Sequence, residues 1–373
     1  MLKIIADDRI PFLKGVLEPF AEVCYLPGGS ITRENLLSAD ALLTRTRTRC
    51  NAELLEGTPV RFIATATIGF DHIDQQYCAS RGIQWANAPG CNSSSVAQYA
   101  ASLLLDDAVR NSLSLKNKVL GVVGVGNVGS KVARLGEILG MRVLKNDPPR
   151  ARLEGEADFV PLDRIVAEAD YITLHVPLIP EGKDRTRHLA GEDFFLKLVK
   201  KPFFINTSRG EVADGNALKS ALITKRLRGA ALDVWEDEPD IDLELMGLLD
   251  YATPHIAGYS ADGKANGTAM AVRALGKHFG LPLENFFPAD LPAPEESLLD
   301  LSASSTPLFS AVKASYDIRR DDSNLRSSPD AFEDLRGNYP LRREFPAYTV
   351  RKNPRMTPEQ MRVLSLLGFR LAG

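Results

Sequence analysis

The stretch that most constrains this 373-residue chain is KVLGVVGVGNVGSKVARLGEILGMRVLKND, residues 118–147. Val119 to Val123 is an apolar run of strand length, and Gly124, Gly126 and Gly129 follow it in the pattern G-x-G-x-x-G. Val132, Leu135, Ile138 and Leu139 then recur at helical spacing, Gly140 closes that helix, Met141 to Leu144 reads as a second strand, and Asp147 stands just beyond. Strand, glycine turn, helix, strand and acid, with about 20 residues from the middle glycine to the carboxylate, form a dinucleotide-binding βαβ unit. The first glycine permits the tight turn, the second lets backbone approach a pyrophosphate, and the third lets helix and strand pack closely. The helix N-terminus around Asn127 and Val128 adds N–H groups and a partial positive charge for the phosphates. A carboxylate at Asp147 accepts hydrogen bonds from ribose hydroxyls and repels a 2′-phosphate, so NAD is expected over NADP. Arg150 and Arg152 follow closely enough to offset that repulsion.

The rest of the chain narrows the class. Its length predicts two or three domains, each able to bury its own core. A net charge of −3 supplies no basic field for nucleic acid or an anionic membrane. Cys24, Cys50, Cys78 and Cys91 lack the C-x-x-C spacing of zinc ribbons and redox dithiols, which points to a reduced, cytoplasmic setting. The opening MLKIIADD reads as a strand ending in acids, without a signal peptide's cationic start and apolar core. No apolar run approaches the ~18 residues of a membrane helix.

Taken in order, Leu2 to Ala6 is a predicted strand and Ile10 to Phe20 a predicted helix entered through Pro11. Strands follow at Ala21 to Tyr25 and Ala41 to Thr44, and the latter runs into Arg45-Thr46-Arg47-Thr48-Arg49. Arginines at the carboxyl end of a parallel strand are either solvated or an anion site for a substrate phosphate or carboxylate; Arg45 is the candidate. Phe62 to Ala66 is a strand leading into TIGFDHID, where Gly69 lets backbone N–H groups approach an anion. His72 and Asp74 are expected to cap the next helix rather than bind metal, and Cys91 to be a buried structural thiol. Ser93 to Asp107 forms a long helix that crosses into the glycine-motif domain.

Past Asp147 the βαβ rhythm continues, and three successive strands end in distinctive residues. Phe203 to Asn206 leads to Arg209, Gly229 to Val234 to the acids of Trp235-Glu236-Asp237-Glu238-Pro239, and Tyr251 to Thr253 to His255. Strand carboxyl ends are where a doubly wound sheet places its ligands, so these side chains should converge. Together they suit the oxidation of a 2-hydroxy acid, in which a hydroxyl proton and a hydride leave one carbon centre. His255 is the expected base, Glu238 the carboxylate that orients it, and Arg209 the planar cation for the substrate carboxylate.

NTSRG (206–210), LDVWEDEP (232–239) and TPHIAGY (253–259) resemble the signature blocks of the D-2-hydroxyacid dehydrogenase superfamily. TATIGFDHID (65–74), APGCNSSSVAQY (88–99), NDPPR (146–150) and YDIRRDD (316–322) are most similar to one branch of it, whose members oxidise 4-phospho-D-erythronate in vitamin B6 synthesis. The resemblance implies Arg209, Glu238 and His255 as the catalytic trio, with Asp147, Asp233 and Gly258 at NAD, and Thr46, Thr67 and Tyr259 at the substrate. Two positions depart from the family pattern. Gln98 stands where an acid is usual, and Val176, at a cofactor position, where a threonine is usual.

The expected fold is α/β: a flavodoxin-like substrate domain (1–93, completed by about 258–284), a doubly wound parallel-sheet NAD (Rossmann) domain (94–257), and a small C-terminal α+β domain (285–373). Residues alone make the last an appendage with a helix or strand at Leu308 to Tyr316, a helix around Phe332, a strand near Ala347 to Val350 and a helix from Thr357 to Leu367. Its Arg319-Arg320-Asp321-Asp322 run reads as a solvated face or an ion-paired turn. The resemblance makes it a dimerisation domain, hence a homodimer. Two other functions fit the same trio: a dehydrogenase for another 2-hydroxy acid such as 3-phosphoglycerate, and a non-catalytic NAD(H)-sensing binding protein.

Overall fold

Alternation along the first strand sets the first sheet. Ile4 and Ala6 of β1 (Leu2–Asp7) enter one buried cluster, with Ala271, Val272 and Leu275, while Ile5 enters another, with Leu36 and Leu54. A strand covered on both faces by apolar residues belongs to a parallel sheet. The computed structural model describes residues 1–302, 304–351 and 356–372, so that Ala303, residues 352–355 and Gly373 of the expected C-terminal domain lie outside the described residues. The chain forms two units, residues 1–92 with 260–292, and residues 93–259 with the chain from Ala293 onward.

In the first unit β1 is joined by β2 (Ala21–Leu26), β3 (Ala41–Thr44), β4 (Phe62–Thr65) and β5 (Gln84–Ala86), in the order β2-β1-β3-β4-β5, all parallel. This is the flavodoxin-like order, whose direction reverses between β1 and β3. The helix Ala261–Phe279, capped by Ser260, covers one face; Gly267 permits its close approach, because a Cβ there would collide with the Ala66 carbonyl.

The expected helix at Ile10 to Phe20 is absent: the segment is a series of turns. Ile10, Leu13 and Leu17 are buried, so their spacing reflects a buried face. Phe12 (φ 60°) and Gly15 (φ 84°) sit in the left-handed region, which breaks the helical path, and Val16 and Phe20 donate only to residues three back.

The second unit holds β6 (Val119–Val123), β7 (Arg142–Asn146), β8 (Tyr171–Leu174), β9 (Phe203–Asn206), β10 (Gly229–Leu232) and β11 (Tyr251–Ala252). They form one parallel sheet in the order β11-β10-β9-β8-β6-β7, reversing between β6 and β8. Leu120 and Val122 face the helices Ser93–Arg110 and Asn127–Ile138, while Val119 and Val123 face the helix Leu162–Glu168. Each such buried Val or Leu contributes about 1.5–3 kcal/mol.

The chain from Ala293 onward carries a small parallel sheet, β12 (Leu298–Leu299), β13 (Thr349–Arg351) and β14 (Arg370–Ala372), and packs into both cores of this unit. Pro307–Ser315 is a helix. The charge run is neither a solvated face nor a turn. It lies in the helix Ile318–Ser327, which packs along edge strand β11. Asp322 accepts the Ala252 N–H at 2.7 Å, Arg326 donates to the Met246 and Leu249 carbonyls, Arg319 pairs with buried Asp106, and buried Asp321 accepts from Tyr316 and Tyr339. The run thus closes a sheet edge whose backbone groups would otherwise stay open.

Candidate active site

The glycine turn sits where the second sheet reverses, directly after β6. Gly124 has φ 84°, and a Cβ there would touch the His175 carbonyl and Val176. A Cβ at Gly129 would collide with the Gly124 carbonyl, whereas the space beside Gly126 is open. The N-terminus of the helix Asn127–Ile138 is exposed at Gly126 and Asn127, with Val128 half-buried. This cradle fits a pyrophosphate. Asp147 lies beside it, accepting the Val125 N–H at 2.9 Å and the Arg150 N–H at 3.1 Å. The two nearby arginines are engaged: Arg150 forms a two-pronged bond to Glu154, and Arg152 pairs with Asp184.

Asn206, the last residue of β9, braces the loop that presents Arg209. It accepts from the Ser208 N–H and hydroxyl and donates to the Arg209 carbonyl. Gly210 allows this loop to lie against the next one, since a Cβ would collide with the Trp235 carbonyl. The half-buried guanidinium donates to the Ser208 carbonyl at 2.8 Å.

His255 and Glu238 meet directly, Nδ1 to Oε2 at 2.8 Å. The other carboxylate oxygen, Oε1, accepts the Trp235 N–H at 2.9 Å, so both oxygens are oriented. The carboxylate accepts the hydrogen bond from Nδ1–H, which keeps the proton on Nδ1 and leaves Nε2 as the basic nitrogen. Burial pushes the Glu238 carboxyl up, but the His255 hydrogen bond and charge, the Trp235 N–H and the Arg336 guanidinium outweigh it and hold it below the usual range.

The loop carrying His255 is pinned from beneath by Asp233. This carboxylate is buried, and it accepts the Thr253 hydroxyl at 2.6 Å and the Ile256 and Ala257 N–H groups at 2.8 and 2.9 Å. Burial raises its pKa, although the His255 charge and these donors pull the other way. His255 itself has φ 55°, a left-handed conformation held by its N–H bond to the Asp233 carbonyl at 2.7 Å. Gly258 and Tyr259 follow, half-buried.

Several contributors carry no strand-end signal in the sequence. Arg336 lies 6.0 Å from the Tyr259 ring centroid and Tyr339 meets that ring edge-on at 5.8 Å. Arg342, buried over the Tyr316 ring, donates to the Gln98 side chain and the Ile256 carbonyl. Gln98, the residue that departs from an expected acid, is fully buried and also donates to the Arg343 carbonyl. His175, directly after β8, is half-buried and bonded to the Thr173 and Thr207 hydroxyls, and desolvation depresses it to about 3.

The remaining expected substrate residues lie in the first unit. Arg45 directly follows β3 and donates to the Arg9 carbonyl at 3.2 Å; Thr46 is exposed. Thr67 follows β4, its hydroxyl bonded to that of Thr65 and to the Gly69 carbonyl. Asp74 caps the helix Gln75–Arg81. His72 does not cap it: its Nε2 is buried without a hydrogen-bond partner, and burial lowers its pKa. Cys91 is buried. Among the described residues no group of three or more His, Cys, Asp or Glu is placed to hold a metal ion.

A glycine cradle at the sheet reversal, with an oriented Glu–His pair and an arginine at neighbouring strand ends, defines the D-2-hydroxyacid dehydrogenase class; residues 95–257 match the model of the D-isomer specific 2-hydroxyacid dehydrogenase NAD binding domain. Residues 291–368 match a domain of unknown function. The solved D-lactate dehydrogenase of Aquifex aeolicus, complexed with NAD and lactic acid, is similar with a TM-score of 0.62 and 27% identity, over 78% of this chain and all of that one. The erythronate-4-phosphate dehydrogenase of Bacteroides thetaiotaomicron is 50% identical over 94% of this chain and 99% of its own length. That of Porphyromonas gingivalis is 43% identical over 99% of this chain and 100% of its own. The chain belongs to the erythronate-4-phosphate dehydrogenase family.

Proposed function

We propose that the protein oxidises 4-phospho-D-erythronate to (R)-3-hydroxy-2-oxo-4-phosphooxybutanoate with NAD, a step of pyridoxal 5′-phosphate synthesis. The observation that carries the reading is the 2.8 Å Glu238–His255 pair within a chain 50% identical to a curated relative of that name. NAD, when bound, accepts the hydride from C2. His255 Nε2 takes the proton of the C2 hydroxyl as the C–H bond breaks and the carbonyl forms, so electrons and protons both leave that centre. Glu238 holds the tautomer and stabilises the imidazolium. Arg209 grips the substrate carboxylate and the developing carbonyl.

Gly124, Gly126, Asn127, Val128 and Gly129 take the pyrophosphate, Asp147 the adenosine ribose, and Val176, Asp233 and Gly258 shape the rest of the cofactor site. Pairing of Arg150 and Arg152 with carboxylates favours NAD over NADP. Arg45, Thr46, Thr67 and Tyr259 are the proposed substrate contacts. The enzyme works as a homodimer through its C-terminal segment, where Leu298, Leu341 and Leu366 are exposed apolar side chains. It operates in the cytoplasm, in keeping with four free thiols; no described helix is long and apolar enough to cross a membrane.

The test is NADH formation at pH 8 to 9 with 4-phospho-D-erythronate, 3-phosphoglycerate, D-lactate and D-glycerate, for wild type and His255→Ala. Turnover of the first, lost in the variant, is expected. Turnover of 3-phosphoglycerate instead would replace the substrate, and none at all beside tight NADH binding would make the protein a sensor. Mass measurement in solution tests the dimer, which a stable monomer would refute.

A further inference from the structure

We infer that Lys264 and Arg45 together form the anion site that takes the substrate's phosphate group. The inference rests on the proposed substrate and goes beyond it by assigning the residues that recognise its phosphorylated end.

The first sheet reverses between β1 and β3, and such reversals are where open α/β sheets bind ligands, outside the strand carboxyl ends. Arg45 is the residue immediately after β3, and its guanidinium reaches to the end of β1, where it donates to the Arg9 carbonyl. Its own carbonyl accepts the hydroxyls of Thr44 and Thr65, so its backbone is held between the ends of β3 and β4. Buried Asp7, the last residue of β1, accepts the Arg9 N–H and feels the Arg45 charge.

Lys264 lies in the first turns of the helix Ala261–Phe279. Three residues just beyond it dock that helix on the strand ends. Asn266 donates to the Cys91 carbonyl at 3.0 Å, Gly267 lies against the Ala66 carbonyl, and the Thr268 hydroxyl donates to the Pro11 carbonyl at 2.7 Å. Positions three and four apart share a helix face, so Lys264 stands on the face of Gly267 and Thr268 that meets the sheet.

The lysine is half-buried there, and burial first, then the Arg45 charge, pulls it down to about 8. Holding two cations within each other's field costs free energy, and a phosphate dianion between them reverses the sign of that interaction. A guanidinium fork and a compact ammonium are complementary phosphate ligands, one directional and one a point charge. Neither is needed for the hydride transfer, so they serve discrimination for the phosphorylated acid.

The test uses the full-length chain as wild type, Lys264→Met and Lys264→Arg. KM and kcat are measured for 4-phospho-D-erythronate and D-erythronate, together with inhibition by inorganic phosphate. Lys264→Met should raise KM for the phosphorylated acid about 10- to 100-fold, as expected for loss of a charge-assisted contact, and weaken phosphate inhibition in parallel. Constants for D-erythronate should stay within about twofold, and Lys264→Arg should retain most of the preference. An unchanged KM, or an equal loss on both substrates, overturns the assignment. If wild type does not turn over the phosphorylated acid, the proposed function falls. Calorimetric titration with inorganic phosphate then decides the anion site by itself: weaker binding to Lys264→Met upholds it, and equal binding removes it.

Discussion

Replacing Glu238 by Gln should damage catalysis more than replacing it by Ala, the reverse of what an isosteric substitution usually does. The reason is the fixed assignment of the two carboxylate oxygens. Oε1 accepts the Trp235 N–H at 2.9 Å and Oε2 faces His255 Nδ1 at 2.8 Å. In the glutamine variant the amide oxygen must keep the Trp235 N–H, so the amide NH₂ turns toward Nδ1. Nδ1 then becomes the acceptor, the ring proton moves to Nε2, and the nitrogen that should take the hydroxyl proton is blocked. The opposite amide orientation sets NH₂ against the Trp235 N–H, and an unsatisfied donor of this kind costs about 1–3 kcal/mol. The useful tautomer is therefore disfavoured about 5- to 150-fold. Both variants also lose the charged bond to the imidazolium, about 1.5–3 kcal/mol, or roughly 10- to 150-fold in rate. Only the glutamine imposes the wrong tautomer in addition. Single-turnover NADH formation at saturating substrate reads the chemical step directly. A Glu238→Gln rate equal to or above that of Glu238→Ala would refute the tautomer argument.

Arg209→Lys keeps the charge but loses the planar fork, so kcat/KM should fall about 10- to 100-fold; a loss below twofold would remove the bidentate role. His175 is neutral in the folded protein down to about pH 3 but titrates near its usual 6.5 once unfolded. Its depressed pKa makes its contribution full above 6.5 and lost as pH falls towards 3. His175→Asn should flatten the decline of thermal stability across that window, and parallel curves would contradict it. Asp322→Ala leaves the Ala252 N–H at the edge of β11 without its acceptor and removes the carboxylate paired with Arg326, and should cost about 1–3 kcal/mol. An unchanged denaturation midpoint would show that the edge needs no such cap.

Much of the site was legible because it depends on local rules. Gly124 is required by its left-handed backbone and Gly129 by a collision with the Gly124 carbonyl five residues back, and those local requirements appear within G-x-G-x-x-G. Arg209, Glu238 and His255 lie in the loops that follow β9, β10 and β11, neighbouring strands of one parallel sheet, so the meeting of Glu238 with His255 follows from topology. The helix read at Ile10 to Phe20 shows the limit of periodicity: spacing records which side chains are buried, while left-handed Phe12 and Gly15 decide the backbone path. The Arg319 to Asp322 run shows another. A charge looks solvated until its partner is known, and the partners, Asp106 and Ala252, lie 213 and 70 residues away.

By itself the sequence determined the order of the strands in the two large sheets, the nucleotide turn and the Arg, Glu and His that follow three successive strands, because propensity, glycine geometry and strand-end position act over short stretches. Tertiary structure alone decided that Asp233 pins the His255 loop and that Arg336 adds its charge to Glu238. It also placed Lys264 within the field of Arg45. Those are interactions between side chains brought together by packing, and an electrostatic interaction depends on separation in space and on burial, neither of which is a property of position along a chain.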